Sequence, residues 1–238
     1  VSEFFGGEKA AVDPALCTGC GRCEQLCRFD AIHLVENTAV VNLYSCEGCG
    51  VCSHVCPAGA VRLLPDVAGK KELYTGDRVF STATLKMGRG NSGKLVTEVK
   101  KAMLKAAPPC ELAIVDGSPG IGCPVIASVN GMDLVLVVAE PSGSGISDLK
   151  RLCATAATLQ VQLAVCVNKY DVSPQHTERI ETFCRQQGIA FVGKIPFDPM
   201  AVRAVNEGTT VVDIDCPAGR AVREIFAKLT ALLAERSI

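Results

Sequence analysis

Eight of the chain's 14 cysteines stand in two runs of identical spacing. Cys17, Cys20, Cys23 and Cys27 read C-x2-C-x2-C-x3-C, and Cys46, Cys49, Cys52 and Cys56 repeat it with Pro57 following. Thiolates are soft ligands that suit iron–sulfur clusters. Three of them in one tight loop reach three irons of a cubane, while the fourth, carried off by a short helix, reaches the other cubane. The spacing therefore assigns one [4Fe-4S] cluster to Cys17, Cys20, Cys23 and Cys56, and a second to Cys46, Cys49, Cys52 and Cys27. Zinc is the competing chemistry, but it takes four cysteines as two separated pairs rather than as two quartets. Gly19, Gly21, Gly48 and Gly50 lie within the runs, where glycine lets the backbone wrap closely and aim N–H groups at sulfur. His33 and His54 flank the runs with no ligand position left for them.

The elements around these thiols are duplicated. Ala31, Ile32, Leu34 and Val35 recur 29 residues later as Ala60, Val61, Leu63 and Leu64, an internal repeat. Each half supplies a cysteine loop, a short helix and an apolar strand, so two stacked halves enclose a core that neither forms alone. This pattern resembles bacterial-type ferredoxins and predicts a domain over residues 11–65, preceded by a tail over 1–10 and followed by a second domain over 66–238. The remaining thiols, Cys110, Cys123, Cys153, Cys166, Cys184 and Cys216, are scattered, several in apolar segments where cysteine acts as a small core residue.

Composition narrows the function classes. A net charge of −1 from 24 basic and 25 acidic residues gives no electrostatic footprint for nucleic acid or anionic lipid. The longest apolar run, Leu134 to Ala139, falls far short of the ~20 residues that span a bilayer, and no secretory signal pattern is visible. Neither nucleic acid nor a membrane span is expected, and the expected location is the cytoplasm.

Beyond residue 111 short apolar runs alternate with amphipathic segments. Leu112–Val115, Leu134–Val138, Leu163–Val167 and Ile189–Gly193 read as buried strands; about 146–159, 174–187 and 218–235 have helical spacing, the second opening on Ser173-Pro174. The alternation predicts an α/β unit with a mostly parallel sheet, whose ligands would bind at the carboxyl edge of the strands. Asp116 would stand there beside a Gly117-Ser118-Pro119-Gly120 loop, where it could hold magnesium while Gly120 lets a backbone N–H approach a phosphate. The next edges carry Glu140-Pro141 and Asn168-Lys169-Tyr170-Asp171, the latter placed where an NKxD motif reads a base.

The segments IVDGSPGIGCPV, VVAEPSGSGISDLK, VNKYD and GKIPFDP, with SGKLVTEVKKA after the cysteine module, resemble the MinD/ParA-type P-loop ATPases, in the branch that carries an inserted ferredoxin domain. The resemblance covers most of the chain. It implies an incomplete P-loop NTPase-like sheet, ATP and Mg as further ligands, Asp116 as the magnesium-linked switch aspartate, Gly120 at the γ-phosphate, and Asn168 with the Pro196–Asp198 loop flanking the base. Asn168-Lys169-x-Asp171 also resembles the guanine-reading motif of GTPases, so the base stays open. Family members carry a first strand and a glycine-rich loop ending in G-K-[ST] ahead of the insert. These residues hold neither, so ATP hydrolysis by them alone is not expected.

Gly88, Gly93 and Lys94 imitate the G-x4-G-K spacing, but Leu95 replaces the Ser/Thr and no apolar strand is expected before them; the resemblance implies a helix entry over Ser92–Ala107 instead. Cys123 lies seven residues after Asp116, the offset of the bridging ligand in the related nitrogenase iron protein, against a reading as a buried or redox-active thiol. The functions implied are nucleotide-gated electron delivery by a homodimer to a redox partner protein, or, alternatively, a plain ferredoxin-type carrier or iron–sulfur scaffold whose α/β part hydrolyses nothing.

Overall fold

The computed structural model describes residues 1–235, and the chain divides into two compact units, Val1–Asp116 and Gly117 onward. The first unit contains β1 (Ser2–Val12), α1 (Arg22–Gln25), β2 (Ile32–Val35), β3 (Thr38–Val41), α2 (Val51–Val55), β4 (Val61–Tyr74), β5 (Phe80–Leu85) and α3 (Ser92–Ala106). Strand β4 lies between β1 and β5 in an antiparallel sheet, and β2 pairs with β3.

Two apolar clusters organise this unit. One gathers Ala10, Ala31, Ile32, Ala39 and Val61 around the cysteines. The other packs Phe4, Ala68 and Leu95 against Ala83, Leu85 and Val99, so that α3 covers the far end of the sheet. Lys71 binds Glu98 across that contact, and Ser81 Oγ donates to the Val99 carbonyl at 2.9 Å.

Two expected boundaries move. Residues 1–10 are no tail, because Phe4 and Ala10 alternate into the core and make residues 2–12 a strand. The expected break after residue 65 falls inside β4, which runs on past it because its second half pairs with β5.

The second unit contains α4 (Cys123–Val129), β6 (Leu134–Ala139), α5 (Gly143–Thr158), β7 (Gln162–Asn168), α6 (Pro174–Gln187), β8 (Ala190–Ile195), α7 (Pro199–Asn206) and α8 (Pro217–Ala234). Strands β6, β7 and β8 form a parallel sheet in that order. Central β7 is buried on both sides, and its alternation divides the core. Val165 and Val167 pack with Leu149, Ile180 and Cys184 of α5 and α6, while Ala164 and Cys166 pack with Val192 and Ile225 of β8 and α8. Helices thus cover both faces, which explains the continuous apolar run. Burying Ile180 fully contributes on the order of 1.5–3 kcal/mol.

Helix α6 begins with Pro174 at its first position, whose missing N–H costs nothing there, and ends at Gly188, whose φ of 66° closes it in the left-handed region. The expected strand Leu112–Val115 is absent: the segment has no regular structure, with Leu112 and Ile114 exposed. Apolar residues take strand geometry from a hydrogen-bonding neighbour, and among the described residues the parallel ladder begins at β6. The fold class is nonetheless the expected one, an α/β unit with a parallel sheet beside a small α+β ferredoxin-like module.

Candidate metal centre

The cysteine module has a more complete symmetry than its sequence advertises. In β1–β4, Val12 pairs with Val61 and Ala10 with Leu63; in β2–β3, Val41 pairs with Ile32 and Ala39 with Leu34. Each pair maps onto the other by the 29-residue offset. The turns before the cysteine loops match as well: Asp13 N–H donates to the Ala60 carbonyl and Asn42 N–H to the Ala31 carbonyl, both at 2.8 Å. Their side chains cap the following turn, Asp13 accepting from Ala15 N–H at 3.0 Å and Asn42 from Tyr44 N–H at 2.9 Å. The repeat therefore begins at residue 8, and each half's first strand pairs with the other half's last. Matching Ala10 to Ala39, Val12 to Val41 and Asp13 to Asn42 was the available signal.

Glycine serves close approach in these loops. Gly19 and Gly48 have φ of 67° and 66°, and a Cβ on them would lie 2.5 Å from the Asn37 carbonyl oxygen and 2.1 Å from that of Glu8. Residues 8 and 37 are themselves symmetry mates, so the Gly48 loop is pressed against β1 and the Gly19 loop against the turn that leads into β3. The N–H groups hydrogen-bonded to sulfur come from alanines rather than from these glycines. Ala31 donates to Cys27 Sγ at 3.4 Å and Ala60 to Cys56 Sγ at 3.3 Å, each four residues after the thiol; Ala10 donates to Cys46 Sγ at 3.5 Å.

Cys23, Cys46 and Cys52 are buried in one cluster with Cys17, Cys27 and Cys56 packed against it, while Cys20 and Cys49 reach the surface. Burial pushes the Cys23 and Cys52 thiols up, partly offset by N–H groups at the starts of α1 and α2. Burial also pushes Cys56 up, but the N–H groups of Ala60, Ala58, Val61 and Gly59 outweigh it and hold this thiol below the ordinary range. Among the described residues no three His, Cys, Asp or Glu side chains converge tightly enough for a single ion. A cubane spreads its thiolates wider than one ion does. Buried thiols that accept backbone N–H bonds fit a cluster, whose sulfurs are tuned by such donors.

The expected nucleotide residues are distributed over both units. Asp116 is exposed at the end of the first unit, and Gly120, with φ of 89°, lies in the second. At the carboxyl edge of the parallel sheet, Asn168 ends β7 opposite Ile195 of β8. Lys169 bridges to Glu140 at 3.2 Å, and Asp171 accepts from Phe197 N–H at 2.8 Å. Asp198 caps α7, accepting from Met200 N–H at 3.0 Å, and holds Ala218 N–H at the start of α8 at 3.1 Å. These two N–H groups hold its carboxyl below the usual carboxylate range. With both oxygens so engaged, the Asp198 carboxylate ties the loop to the starts of α7 and α8.

Lys94 makes its contacts within the first unit. A strand, β5, does precede it, contrary to expectation, because β4 supplies the pairing that Phe80–Leu85 needs. Its ammonium is committed to the Phe5 carbonyl at 2.8 Å and lies over the Phe4 ring. Cys123 opens α4 and is exposed rather than buried.

The family comparison agrees with the geometry of the cysteine module. Residues 10–63 match the family model described as a 4Fe-4S dicluster domain. The uncharacterized protein MJ0578 of Methanocaldococcus jannaschii is 31% identical over 215 residues, 90% of this chain and 71% of that one. The iron-sulfur cluster carrier protein of Pyrococcus furiosus is 30% identical over 158 residues, 60% of this chain and 54% of the relative. The uncharacterized ATP-binding protein MJ0547 of M. jannaschii is 33% identical over 126 residues, 50% of this chain and 46% of that one. The chain thus spans 71% of MJ0578 and about half the length of the others. The solved cell division ATPase MinD of P. furiosus superposes with a TM-score of 0.49 and 14% identity over 92% of this chain and 77% of that one. On the match to MJ0578, the chain belongs to that protein's family, and its residues 10–63 form a 4Fe-4S dicluster domain.

Proposed function

We propose that the module holds two [4Fe-4S] clusters and passes single electrons, with nucleotide bound by the α/β part gating their delivery to a partner protein. One cluster sits on Cys17, Cys20, Cys23 and Cys56, the other on Cys46, Cys49, Cys52 and Cys27. The observation that carries this reading is the exchange of strands between the halves, which leaves Cys27 and Cys56 beyond their own helices in a shared core, each accepting an alanine N–H. Bound there, the clusters supply one-electron chemistry, and the protein sets their potential through burial, N–H···S bonds and nearby charge. Cys20 and Cys49, exposed, mark where each cluster comes nearest to solvent and to a partner.

In the α/β part, Asn168 and the Pro196–Asp198 loop would flank the base, with Gly120 toward the terminal phosphate. Asp171 holds this edge in shape through Phe197. The test is magnesium-dependent nucleotide binding by the full protein, read against the rate at which the reduced clusters are oxidised by a one-electron acceptor. An unchanged rate with nucleotide bound overturns gating.

A second reading, a cluster carrier, is favoured by the match to the P. furiosus iron-sulfur cluster carrier protein. The buried, N–H-bonded thiols favour retention instead. Iron that moves to an apo-acceptor without loss of protein fold would decide for the carrier.

A further inference from the structure

The 29-residue symmetry of the module makes its asymmetries visible. Symmetry mates Gly19 and Gly48, and Ala10 and Ala39, are alike between the halves in type and in strand register or loop position, and Cys17 and Cys46 are alike in type, although Cys46 is the more buried. Lys9 breaks the pattern, since its mate is Thr38. The Lys9 ammonium donates to the backbone carbonyl of Cys46, the first cysteine of the second loop. The next residue, Ala10, donates its N–H to Cys46 Sγ. No carboxylate partner of Lys9 occurs among the ion pairs of the described residues.

Other charges near the loops cancel or face water. Arg22, Glu24, Arg28 and Asp30 sum to zero, against Val51, Ser53, Pro57 and Gly59 in the second half. Glu8, Asp13 and Glu47, which stand against Asn37, Asn42 and Thr18, are exposed, so solvent and salt screen them. Arg89 lies over the Tyr44 ring and donates to the Leu43 carbonyl at 2.8 Å, but Asp66 at 3.5 Å balances it. Among the described residues Lys9 is the half-buried cation without a carboxylate partner that is tied to a ligand loop, at its buried Cys46, where the field of a charge is less attenuated than in water.

We infer that Lys9 sets the two clusters apart, making the one on Cys46, Cys49, Cys52 and Cys27 the easier to reduce. This rests on the cluster assignment proposed above. Reduction adds one negative charge to a cluster, and a fixed ammonium stabilises the reduced form over the oxidised one. Electrons entering the module would therefore settle on the Cys46 side, and the exposed Cys49 would mark the exit toward an acceptor. Lys9 is a positioning residue for the electron and binds no iron itself.

The experiment is an EPR-monitored redox titration of the anaerobically purified full chain, wild type against Lys9→Met, Lys9→Arg and Thr38→Lys, with iron counted for each. Two one-electron steps are expected in the wild type. Lys9→Met should move the more positive step negative by roughly tenfold in the reduced-to-oxidised ratio, about 59 mV for one electron, and leave the other in place. Lys9→Arg should restore it, and Thr38→Lys should raise the lower step by placing a cation at the mirrored position. Two clusters whose potentials ignore these changes, or shift together, overturn this inference alone. A chain without two clusters overturns the proposed function and this inference with it.

Discussion

Gly48→Ala is the substitution whose effect the structure specifies most closely. The residue has φ of 66°, and a Cβ would stand 2.1 Å from the Glu8 carbonyl oxygen, a backbone atom in β1 that is fixed by ten ladder pairs with β4. The left-handed backbone costs a residue with a Cβ about 1–2 kcal/mol. The forced movement of β1 adds roughly 1–3 kcal/mol, the usual range for overpacking. Together these reach about 2–5 kcal/mol, a large share of a typical domain's stability. Gly59 is the internal control. It also has positive φ, 62°, but open space around its would-be Cβ, and its symmetry mate is Asp30, which already adopts φ of 50°. Gly59→Asp should thus be close to neutral. Iron per chain after anaerobic purification, followed by the urea midpoint for loss of cluster absorbance, reads both variants. If Gly48→Ala keeps its iron and midpoint, or Gly59→Asp is equally damaging, the close-approach argument fails.

Asp198→Asn should lower the thermal midpoint of the α/β unit near neutral pH. Because the folded-state pKa of Asp198 is depressed, its contribution is present above the ordinary carboxylate pKa and lost as pH falls through the lower folded value, so wild type and variant should converge in acid. Burial pushes Cys166 and Cys184 up to about 11; native protein alkylated at mildly alkaline pH should be modified at exposed Cys110 and Cys123 first, as peptide mapping would show, and early labelling of Cys184 would contradict the packing. Thr177→Val removes a buried hydroxyl that donates to the Tyr170 carbonyl at 2.9 Å and should cost about 1 kcal/mol in denaturant titration. Lys94→Ala should leave nucleotide binding by the full protein unchanged while weakening the first unit, since its ammonium serves the Phe5 carbonyl.

Much of this was legible in the sequence because the chemistry dictates spacing. The cysteine runs, the strands β6, β7 and β8, and the helices α5, α6 and α8 follow from local pattern, and β7 advertised its burial on both faces through Leu163–Val167. What escaped depended on partners distant in sequence. Residues 2–12 look like an ordinary leader until β4 is placed beside them, and Leu112–Val115 looks like a strand until no ladder is found for it. Asp198 stands in the motif GKIPFDP, but its bonds to the Met200 and Ala218 N–H groups, the second made across 20 residues, are visible only in the fold. Lys9 carried no signal at all, because its meaning lies in the symmetry that Thr38 breaks.

The central claim is that eight thiolates hold two cubanes across exchanged halves. Iron and acid-labile sulfide determined on anaerobically purified protein, with the EPR spectrum after dithionite reduction, test it most directly. The account requires about eight irons and eight sulfides per chain and the signals of two interacting reduced [4Fe-4S] clusters. Stoichiometric zinc, or a chain that folds without iron, would contradict it.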